Sequence, residues 1–587
     1  MHIQILKIKE KESYIKKFKK IFSVRSVSCS SIFLNSVSII LSIFYLAIPI
    51  YSIIWDVFGV ILSLTLFDDL LLVYLTSHKI NKLSKLGNKL NMVCYVYLIF
   101  VMLAFISLLL GNLLISSIIS NDLIAKIGAY SLIYISYFGV LIFAIFIALF
   151  NIKHLKNEIL WNREFINRKY EIIKNRKYMK RLKRILTIIS RITFIIGIIF
   201  AFVIIFGSVE IVTTFVAIIS AQFGIFFSFI FLANTILFIK LKRFKWTRRK
   251  YYRNAIIGVL VSFLLLLPLL ISHLAVYNAE KNFSTFFGEN WKSNIPEEVN
   301  QFFLKTPFTT PEYFLGNRPK DCKVESQTLF YNEEGINLYF DAYMPLDGEK
   351  NLPGENSTII RIHGGAWISG DKGTFNMLQM NKYFAAQGYV VFDIQYGLCE
   401  TPISALDPTT PKYKIGDFDI DDMVRHIGIF TKYLSNHSND YGANLNSVFL
   451  SGGSSGGHLT CAVSLAMASG FYPDLFSQNL TIKGYIPFYP ANGLLNFFGI
   501  GGKEEFINPE KMIQKTSPPC LIFQGTHDII NYFGIANNFK NTYLAKDNQE
   551  CSIIWMPLGG HACDFYFSGY YNQIFLYYME RFMYLYH

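Results

Sequence analysis

The sequence predicts two fold classes in series: a multi-pass α-helical membrane domain of about seven spans, then a mostly parallel β-sheet with helices on both faces. Long apolar runs fill the first half, and basic segments alternate with them. In the second half, short β-branched or aromatic runs alternate with segments of helix length. A chain of 587 residues is long enough for two or more domains.

Charge separates the two halves. Residues 1–277 contain 34 Lys+Arg and 10 Asp+Glu, whereas residues 278–587 contain 21 and 31. The net charge of +14 therefore comes wholly from the first half, where basic residues lie between apolar runs. No single basic face with interleaved aromatic residues is present, so the composition indicates membrane topology and excludes a nucleic-acid partner.

Seven runs are apolar and long enough to cross about 30 Å of hydrocarbon, which predicts a transmembrane domain over residues 31–277. They lie near residues 31–54, 57–76, 92–116, 127–150, 185–206, 211–239 and 255–277. The first run begins too far into the chain for a cleaved signal peptide. Asp68 and Asp69 interrupt the second run, either as a buried carboxylate pair on an ion or substrate path or near an interface. We favour the interface.

The distribution of basic residues predicts the orientation. Eight Lys/Arg lie in residues 1–30, four in 77–91, twelve in 151–184 and eight in 240–253, whereas Lys126 is the only one in the other three connections. The positive-inside rule makes residues 1–30 a basic cytoplasmic N-terminus. Seven spans then place everything after residue 277 on the non-cytoplasmic side, in the ER lumen or at the cell exterior. The N-x-[ST] sequons at Asn282, Asn356, Asn436 and Asn479 all lie on that side.

The second half begins with a predicted juxtamembrane connector, residues 278–321, which several prolines interrupt. The domain of residues 322–587 follows. Its predicted strands are 336–343, 357–362, 388–394, 447–451, 484–489, 519–524 and 551–556. Its predicted helices lie near 373–387, 417–436, 456–469, 533–546 and 569–585. This alternation is typical of a mostly parallel sheet that is covered on both faces.

Four chemically distinctive stretches each follow a predicted strand. They are IHGGAWISGDK after 357–362, GGSSGGH after 447–451, GTHD after 519–524 and LGGHACD after 551–556. Open α/β sheets bind ligands at the carboxyl ends of their strands. A serine, an aspartate and a histidine appear there in the chain order of the α/β-hydrolase triad.

Residues 322–587 resemble α/β-hydrolases of the hormone-sensitive-lipase-like branch, close to small carboxylesterases and feruloyl-esterase-like enzymes. The resemblance covers none of the first half and is carried by HGGAW at 363–367, GGSSGGHL at 452–459, PPCLIFQGTHD at 518–528 and GGHACD at 559–564. DFDIDDMVRHIGIF at 417–430 also resembles the helix before the nucleophile strand. One departure is Tyr396-Gly397-Leu398, where the branch has Tyr-Arg-Leu; this puts the local packing in question.

The resemblance implies a role for each candidate residue. G-x-S-x-G fits this chain twice, but the branch pattern G-x-S-x-G-G-H fits only with Ser454 as the nucleophile. His561 is then the general base and Asp528 the carboxylate that orients it. Main-chain N–H groups of Gly364, Gly365 and Ser455 would form the oxyanion hole. The alternatives are Asp564 for the carboxylate and His527 or His458 for the base.

The eight cysteines are scattered without a C-x-x-C pair or zinc spacing, so we expect no metal and no cofactor, although one or two disulfides are compatible with the sequence. The oligomeric state is not indicated.

The sequence thus predicts a membrane-bound serine hydrolase that cleaves carboxylic esters through an acyl-enzyme, of the carboxylesterase or lipase type. Its partners would be a small-molecule ester, lipophilic in view of its location, and the lipid bilayer. Two alternatives stay open: an acyl- or acetyltransferase with the same triad, or a membrane receptor or transporter with a non-catalytic, hydrolase-like binding domain.

Overall fold

The computed structural model describes residues 23–48, 53–79, 85–117, 123–161, 176–242, 246–316, 320–347, 351–374 and 377–587. Most of the predicted N-terminal segment 1–30 lies outside these ranges. Nine helices cover the first half of the described chain. They are α1 (Val24–Ala47), α2 (Ile54–Lys79), α3 (Lys85–Ser117), α4 (Leu123–Trp161), α5 (Arg176–Phe206), α6 (Ile211–Gln222), α7 (Gly224–Lys242), α8 (Arg248–Leu270) and α9 (Ser272–Phe287).

Seven helical segments in the described residues are long and apolar enough to cross a membrane, which indicates a multi-pass membrane protein. They are Val24–Ala47, Ile54–His78, Lys89–Ile115, Ile124–Leu155, Arg181–Phe206, Gly224–Lys242 and Arg248–Phe287. The prediction of one continuous sixth span over 211–239 was wrong, because the helix ends at Gln222 and restarts at Gly224. With only 12 residues, α6 is about 18 Å long and too short to cross alone.

The favoured location of Asp68 and Asp69 near an interface does not agree with the structure. Asp69 lies 15 residues after the start of α2 and 10 before its end, and it is only 1% exposed. Its Oδ1 accepts hydrogen bonds from Ser31 Oγ at 2.8 Å and Asn35 Nδ2 at 2.7 Å, both on α1. The carboxylate therefore lies inside the helix bundle, in contact with a polar face of α1.

The second half contains an eight-stranded sheet and a separate pair of short strands, β5 and β6, within the described residues. The strands are β1 (Lys323–Glu333), β2 (Ile336–Met344), β3 (Ser357–Ile362), β4 (Val390–Ile394), β5 (Leu398–Cys399), β6 (Ile415–Gly416), β7 (Asn444–Gly453), β8 (Ile482–Phe488), β9 (Cys520–Gly525) and β10 (Cys551–Met556). The order in the main sheet is β1-β2-β4-β3-β7-β8-β9-β10. β2 is antiparallel to its neighbours, and the strands from β4 to β10 pair in parallel. This is the α/β-hydrolase fold.

Helices cover both faces of this sheet. The remaining helices of the described chain are α10 (Glu297–Asn300), α11 (Thr310–Leu315), α12 (Met377–Ala385), α13 (Pro402–Leu406), α14 (Ile420–Tyr441), α15 (Ser455–Ser469), α16 (Glu504–Ile507), α17 (Phe533–Ala545) and α18 (Tyr570–Tyr586). Of these, α12, α14, α15, α17 and α18 pack against the strands. Because side chains alternate along a strand, Ile553 packs with the core of α14, α15 and α17, whereas Ile554 packs on the side of α12 and α18.

The face with α12 and α18 has no core of its own. Its buried residues belong to one hydrophobic cluster that also contains residues of the membrane helices, such as Phe105 and Phe226. Tyr313, Tyr566 and Phe226 are in ring contact where the two halves meet. The hydrolase domain therefore packs directly on the end of the helix bundle.

The predicted connector 278–321 takes part in this packing. Its first residues belong to α9, which packs against the edge strand β10, and Asn282 Nδ2 donates to the carbonyl of Ile553 at 2.9 Å. Farther along, α11 lies against the membrane helices, where Asn112 Nδ2 donates to the carbonyl of Phe314 at 3.2 Å. The sequon amide of Asn282, which is half-buried, is thus engaged in a hydrogen bond within the protein.

Candidate active site

The turn between β7 and α15 holds Ser454 in an unusual backbone conformation. Its φ of 57° and ψ of −120° are uncommon for a residue with a side chain, and such strain is typical of a nucleophile elbow. A Cβ atom on Gly452 or Gly456 would lie 2.4 or 2.2 Å from the carbonyl oxygen of Ile362. The glycine frame centred on Ser454 is therefore sterically required.

Ser454 is joined to His561 and Asp528 by a continuous series of hydrogen bonds. His561 Nε2 lies 3.1 Å from Ser454 Oγ, and its Nδ1 lies 2.9 Å from Asp528 Oδ2. A carboxylate only accepts hydrogen bonds, so Nδ1 carries the proton and Nε2 is left as the acceptor for the serine hydroxyl. This tautomer is the one in which the imidazole can act as a base toward Ser454.

Backbone groups fix the Asp528 carboxylate. Its Oδ1 accepts hydrogen bonds from the N–H groups of Ile530 at 3.0 Å and Asn531 at 2.9 Å. The side chain of Asp528 is fully buried, whereas that of His561 is 11% exposed. The carboxylate is thus held rigidly in one orientation, and the histidine remains accessible from one side.

The loop after β3 lies beside Ser454. A Cβ atom on Gly364 would be 2.7 Å from the carbonyl oxygen of Gly453 and 3.4 Å from the Cβ of Ser454. Gly365 has a φ of 128°, and a side chain there would collide with the carbonyl of Ser369. Ser455 is the first residue of α15 and is fully buried. The three residues predicted for the oxyanion hole therefore lie next to the serine on two adjoining segments.

His363 braces this loop. Its Nδ1 lies 2.8 Å from the carbonyl of Gly364, its ring stacks on Tyr396, and its Nε2 lies 3.0 Å from Lys414 Nζ. Lys414 also bonds Asp371 at 3.0 Å. Burial lowers the pKa of His363 to about 3, so the imidazole is neutral and accepts from the lysine at Nε2. Burial also lowers the pKa of Lys414 to about 8.

The residues considered as alternatives have other contacts. Asp564 Oδ1 accepts a hydrogen bond from Tyr489 Oη at 2.8 Å, and burial raises the pKa of this carboxyl. His458 is fully buried, with Nε2 2.8 Å from the carbonyl of Phe506. His527 contacts the membrane domain at Gly207. The structure brings Asp528, rather than Asp564, to His561, and Ser454, rather than Ser455, to its other nitrogen.

The departure at Gly397 has a structural explanation. A Cβ atom at this position would lie 2.7 Å from the imidazole of His426 and 2.8 Å from the ring of Phe418. His426 Nδ1 also accepts the N–H of Gly397 at 3.2 Å. Buried aromatic rings therefore occupy the space into which an arginine at position 397 would project.

Gln222, the last residue of α6, is a site residue that the sequence analysis missed. Its Nε2 donates to the carbonyl of Ala562 at 2.9 Å, and its Oε1 accepts the N–H of Tyr566 at 2.8 Å. Its own carbonyl accepts the hydroxyl of Tyr313 at 2.8 Å. A single amide followed by Gly224 within a long apolar run was the sequence signal for both the helix break and this contact.

No group of three or more His, Cys, Asp or Glu residues in the described ranges is arranged to hold a metal ion. All eight cysteines lie in those ranges, and none forms a disulfide.

One protein-family profile matches part of the chain that forms the sheet. The family profile described as BD-FAE matches residues 340–500, which include Gly364, Gly365, Ser454 and Ser455 but end before Asp528 and His561. No curated protein matches the chain.

Several solved esterases are similar to part of the chain. Thermogutta terrifontis esterase 2 phosphorylated by paraoxon is 22% identical, with a TM-score of 0.32, over 41% of this chain and 84% of its own. The apo form of that esterase is 21% identical with a TM-score of 0.34, over 45% and 91%. Esterase B from Lactobacillus rhamnosis, inhibited by a tributyrin phosphonate, is 21% identical with a TM-score of 0.34, over 42% and 80%.

Proposed function

We propose that this protein is a membrane-bound serine hydrolase that cleaves carboxylic esters. The observation that carries the proposal is the series of contacts from Ser454 Oγ through His561 to the buried carboxylate of Asp528. An alcohol is a weak nucleophile at neutral pH and needs a base within hydrogen-bond distance, itself oriented by a third group. The strained turn at Ser454 and the glycine loop beside it support the same chemistry.

In the first half-reaction, Ser454 Oγ forms a bond to the ester carbonyl carbon and its proton moves to His561 Nε2. The carbonyl oxygen becomes an oxyanion that the N–H groups of Gly364, Gly365 and Ser455 stabilise. One such donor is worth about 10²- to 10³-fold in rate. The carbon–oxygen bond to the alcohol then breaks, His561 protonates the departing oxygen, and an acyl group stays on Ser454.

In the second half-reaction, water attacks the acyl carbon and gives a proton to His561 Nε2. The bond to Ser454 Oγ breaks, the proton returns to this oxygen, and the carboxylic acid leaves. Asp528 stays ionised throughout and accepts the Nδ1–H of His561, which stabilises the imidazolium in each step. No step needs a cofactor.

Labelling with a fluorophosphonate probe tests this proposal on the full chain in its own membranes. Wild type and Ser455→Ala should be labelled, because alanine keeps the main-chain N–H at position 455, whereas Ser454→Ala should not. An unlabelled wild type would exclude a serine hydrolase. Product analysis with an added alcohol then separates hydrolysis from acyl transfer, since a transferase would yield mainly the new ester.

For the orientation, we propose that the basic connections are cytoplasmic and that the hydrolase domain is not. The connector contacts the bundle near the start of α2 and the end of α3, at Gly59 and Asn112, and the hydrolase domain contacts the end of α5 at Gly207. These positions adjoin the three connections that are poor in Lys and Arg, which supports the orientation. Protease added outside sealed, cytoplasmic-side-out vesicles should leave residues 278–587 intact; their digestion would contradict it.

A further inference from the structure

We propose that the site takes a long-chain carboxylic ester directly from the membrane leaflet at the end of α5. Residues 529–533, the apolar loop, would contact its acyl chain. This inference rests on the proposed function and adds a substrate class and a route of entry. Three features of the structure carry it: the contact of the Asp528 segment with α5, the exposure of the apolar loop, and the scarcity of charged residues in the sequence around it.

The segment that carries Asp528 lies on the end of a membrane helix. α5 ends at Phe206, and a Cβ atom on the next residue, Gly207, would lie 3.6 Å from the imidazole of His527. The backbone of Ile204 lies close to the same imidazole. Since Asp528 directly follows His527, the triad lies within a few residues of the end of this membrane helix.

The apolar loop exposes four large side chains immediately after Asp528. Ile529 is 41% exposed, Ile530 36%, Tyr532 55% and Phe533 54%. Asn531 between them is buried; its N–H bonds Asp528 Oδ1, and its Nδ2 donates to the carbonyl of Tyr489. The backbone is therefore fixed, and the apolar side chains are held outward. Such a patch marks a surface that binds an apolar partner or a membrane.

The surroundings of the loop suit a bilayer. Asp528, which is buried, is the only acidic or basic residue, apart from histidine, between Lys515 and Lys540. On the membrane side, Phe206 and Val209 are 67% and 76% exposed. Tyr532 is of the residue type that collects at membrane interfaces. The apolar loop is thus joined through His527 to the end of α5, where Phe206 and Val209 expose apolar surface and Glu210 is the exposed charged residue of the turn.

Full-length protein in phosphatidylcholine vesicles provides the test. Dioleoylglycerol is the long-chain ester, placed either in the same vesicles or in separate ones, and p-nitrophenyl acetate is the short, soluble ester. The test variant is Ile530→Ser with Phe533→Ser. The matched control is Phe471→Ser, which removes a 62% exposed ring. Phe471 lies just after the end of α15, whereas Ser454 lies just before its start, so the two are at opposite ends of this helix.

We expect wild type to hydrolyse dioleoylglycerol at least about tenfold faster when it is in its own vesicles than in separate ones. The ratio of dioleoylglycerol to acetate turnover should fall about tenfold in the test variant, because apolar contact with the chain is lost. The control should keep this ratio within about twofold. An unchanged ratio in the test variant, or equal rates in same and separate vesicles, would overturn the inference. Failure of wild type to hydrolyse either ester would instead refute the proposed function.

Discussion

Gln222, in a helix of the membrane domain, donates a hydrogen bond from Nε2 to the carbonyl of Ala562, the residue that follows His561. Its Oε1 accepts the N–H of Tyr566 from the same loop. Two hydrogen bonds from one amide therefore hold the histidine loop against the helix bundle. Seven spans are more than an anchor requires, and this contact gives the bundle a part in the geometry of the site.

We predict that Gln222→Ala lowers kcat for a short ester by about 10- to 100-fold, with KM near that of wild type. Losing two buried hydrogen bonds costs about 1–3 kcal/mol, and each 1.4 kcal/mol is tenfold in rate. The control is Asn234→Ala, which removes another buried amide of the bundle, bonded to the carbonyl of Ser190. Steady-state kinetics in detergent would measure both. Equal losses of kcat in the two variants would mean that Gln222 acts only through stability.

Asp528→Asn should lower kcat by about 10³-fold or more, because an amide cannot hold His561 in the tautomer that accepts the serine proton. Asp564→Asn is the matched control. Its carboxylate accepts a hydrogen bond from Tyr489, and an amide oxygen can still do so. We expect a loss within about tenfold in this variant, measured as the burst and steady-state rates with a p-nitrophenyl ester. The reverse order of effects would assign the orienting role to Asp564.

The buried histidines predict that acid destabilises the hydrolase domain. Burial lowers the pKa of His363 to about 3 and the pKa values of His426 and His458 to about 4, from an ordinary value of 6.5. At a pH between the lowered pKa of each histidine and 6.5, that histidine is protonated in the unfolded chain and neutral in the folded chain. Each group therefore stabilises the fold fully above about pH 6.5, and this stability is lost as pH falls, by up to about 1.4 kcal/mol per pH unit.

His363→Asn removes one of these three groups and keeps the other two. Its unfolding midpoint in detergent should therefore decrease less steeply between pH 6.5 and 4 than that of wild type. Thermal unfolding followed by circular dichroism at half-unit pH steps would measure the two slopes. Parallel slopes would show that His363 binds its proton equally in the folded and unfolded chains.

Residues 322–587 expressed alone should be poorly soluble or nearly inactive, by a factor of about 100 relative to the full chain. Removing the bundle would uncover Tyr566 and Tyr570, which are 1% exposed in the intact protein, and would delete Gln222. An apolar surface of this size is a strong aggregation liability in water. Size-exclusion chromatography and ester hydrolysis per mole of protein would measure the outcome. A monomeric fragment with full activity would contradict the shared core.

The sequence predicted seven of the eight strands of the main sheet to within a few residues, because their β-branched runs are short and flanked by turn residues. It did not predict β1, whose residues are mostly exposed and whose pairing is irregular between Glu325 and Thr328 and again between Leu329 and Tyr331. An edge strand that buries little has no alternation of apolar residues to reveal it. The break after α6 was missed for another reason, since Gln222 and Gly224 mark it only weakly within a long apolar run.

The triad itself stays a prediction about chemistry, although the structure brings its three predicted members into contact. The sequence was sufficient to predict that the three residues meet, because each follows a strand and the carboxyl ends of parallel strands lie at one edge of the sheet. The contacts between the triad loops and the membrane helices could not be predicted from the sequence. Gln222 bonds Ala562 across 340 residues of sequence, and a single amide in an apolar run indicates a polar contact without indicating its partner.

The hydrophobic cluster shared by the bundle and the sheet has a consequence for how the chain is made. The bundle precedes the sheet in the sequence, so its helices leave the ribosome and enter the membrane first. The sheet then folds against a surface that is already in place, and α18 can close that face only after every strand has been synthesised. We therefore expect the hydrolase domain to fold against helices that are already inserted. A bundle that fails to insert would leave the domain without the apolar surface that completes its core.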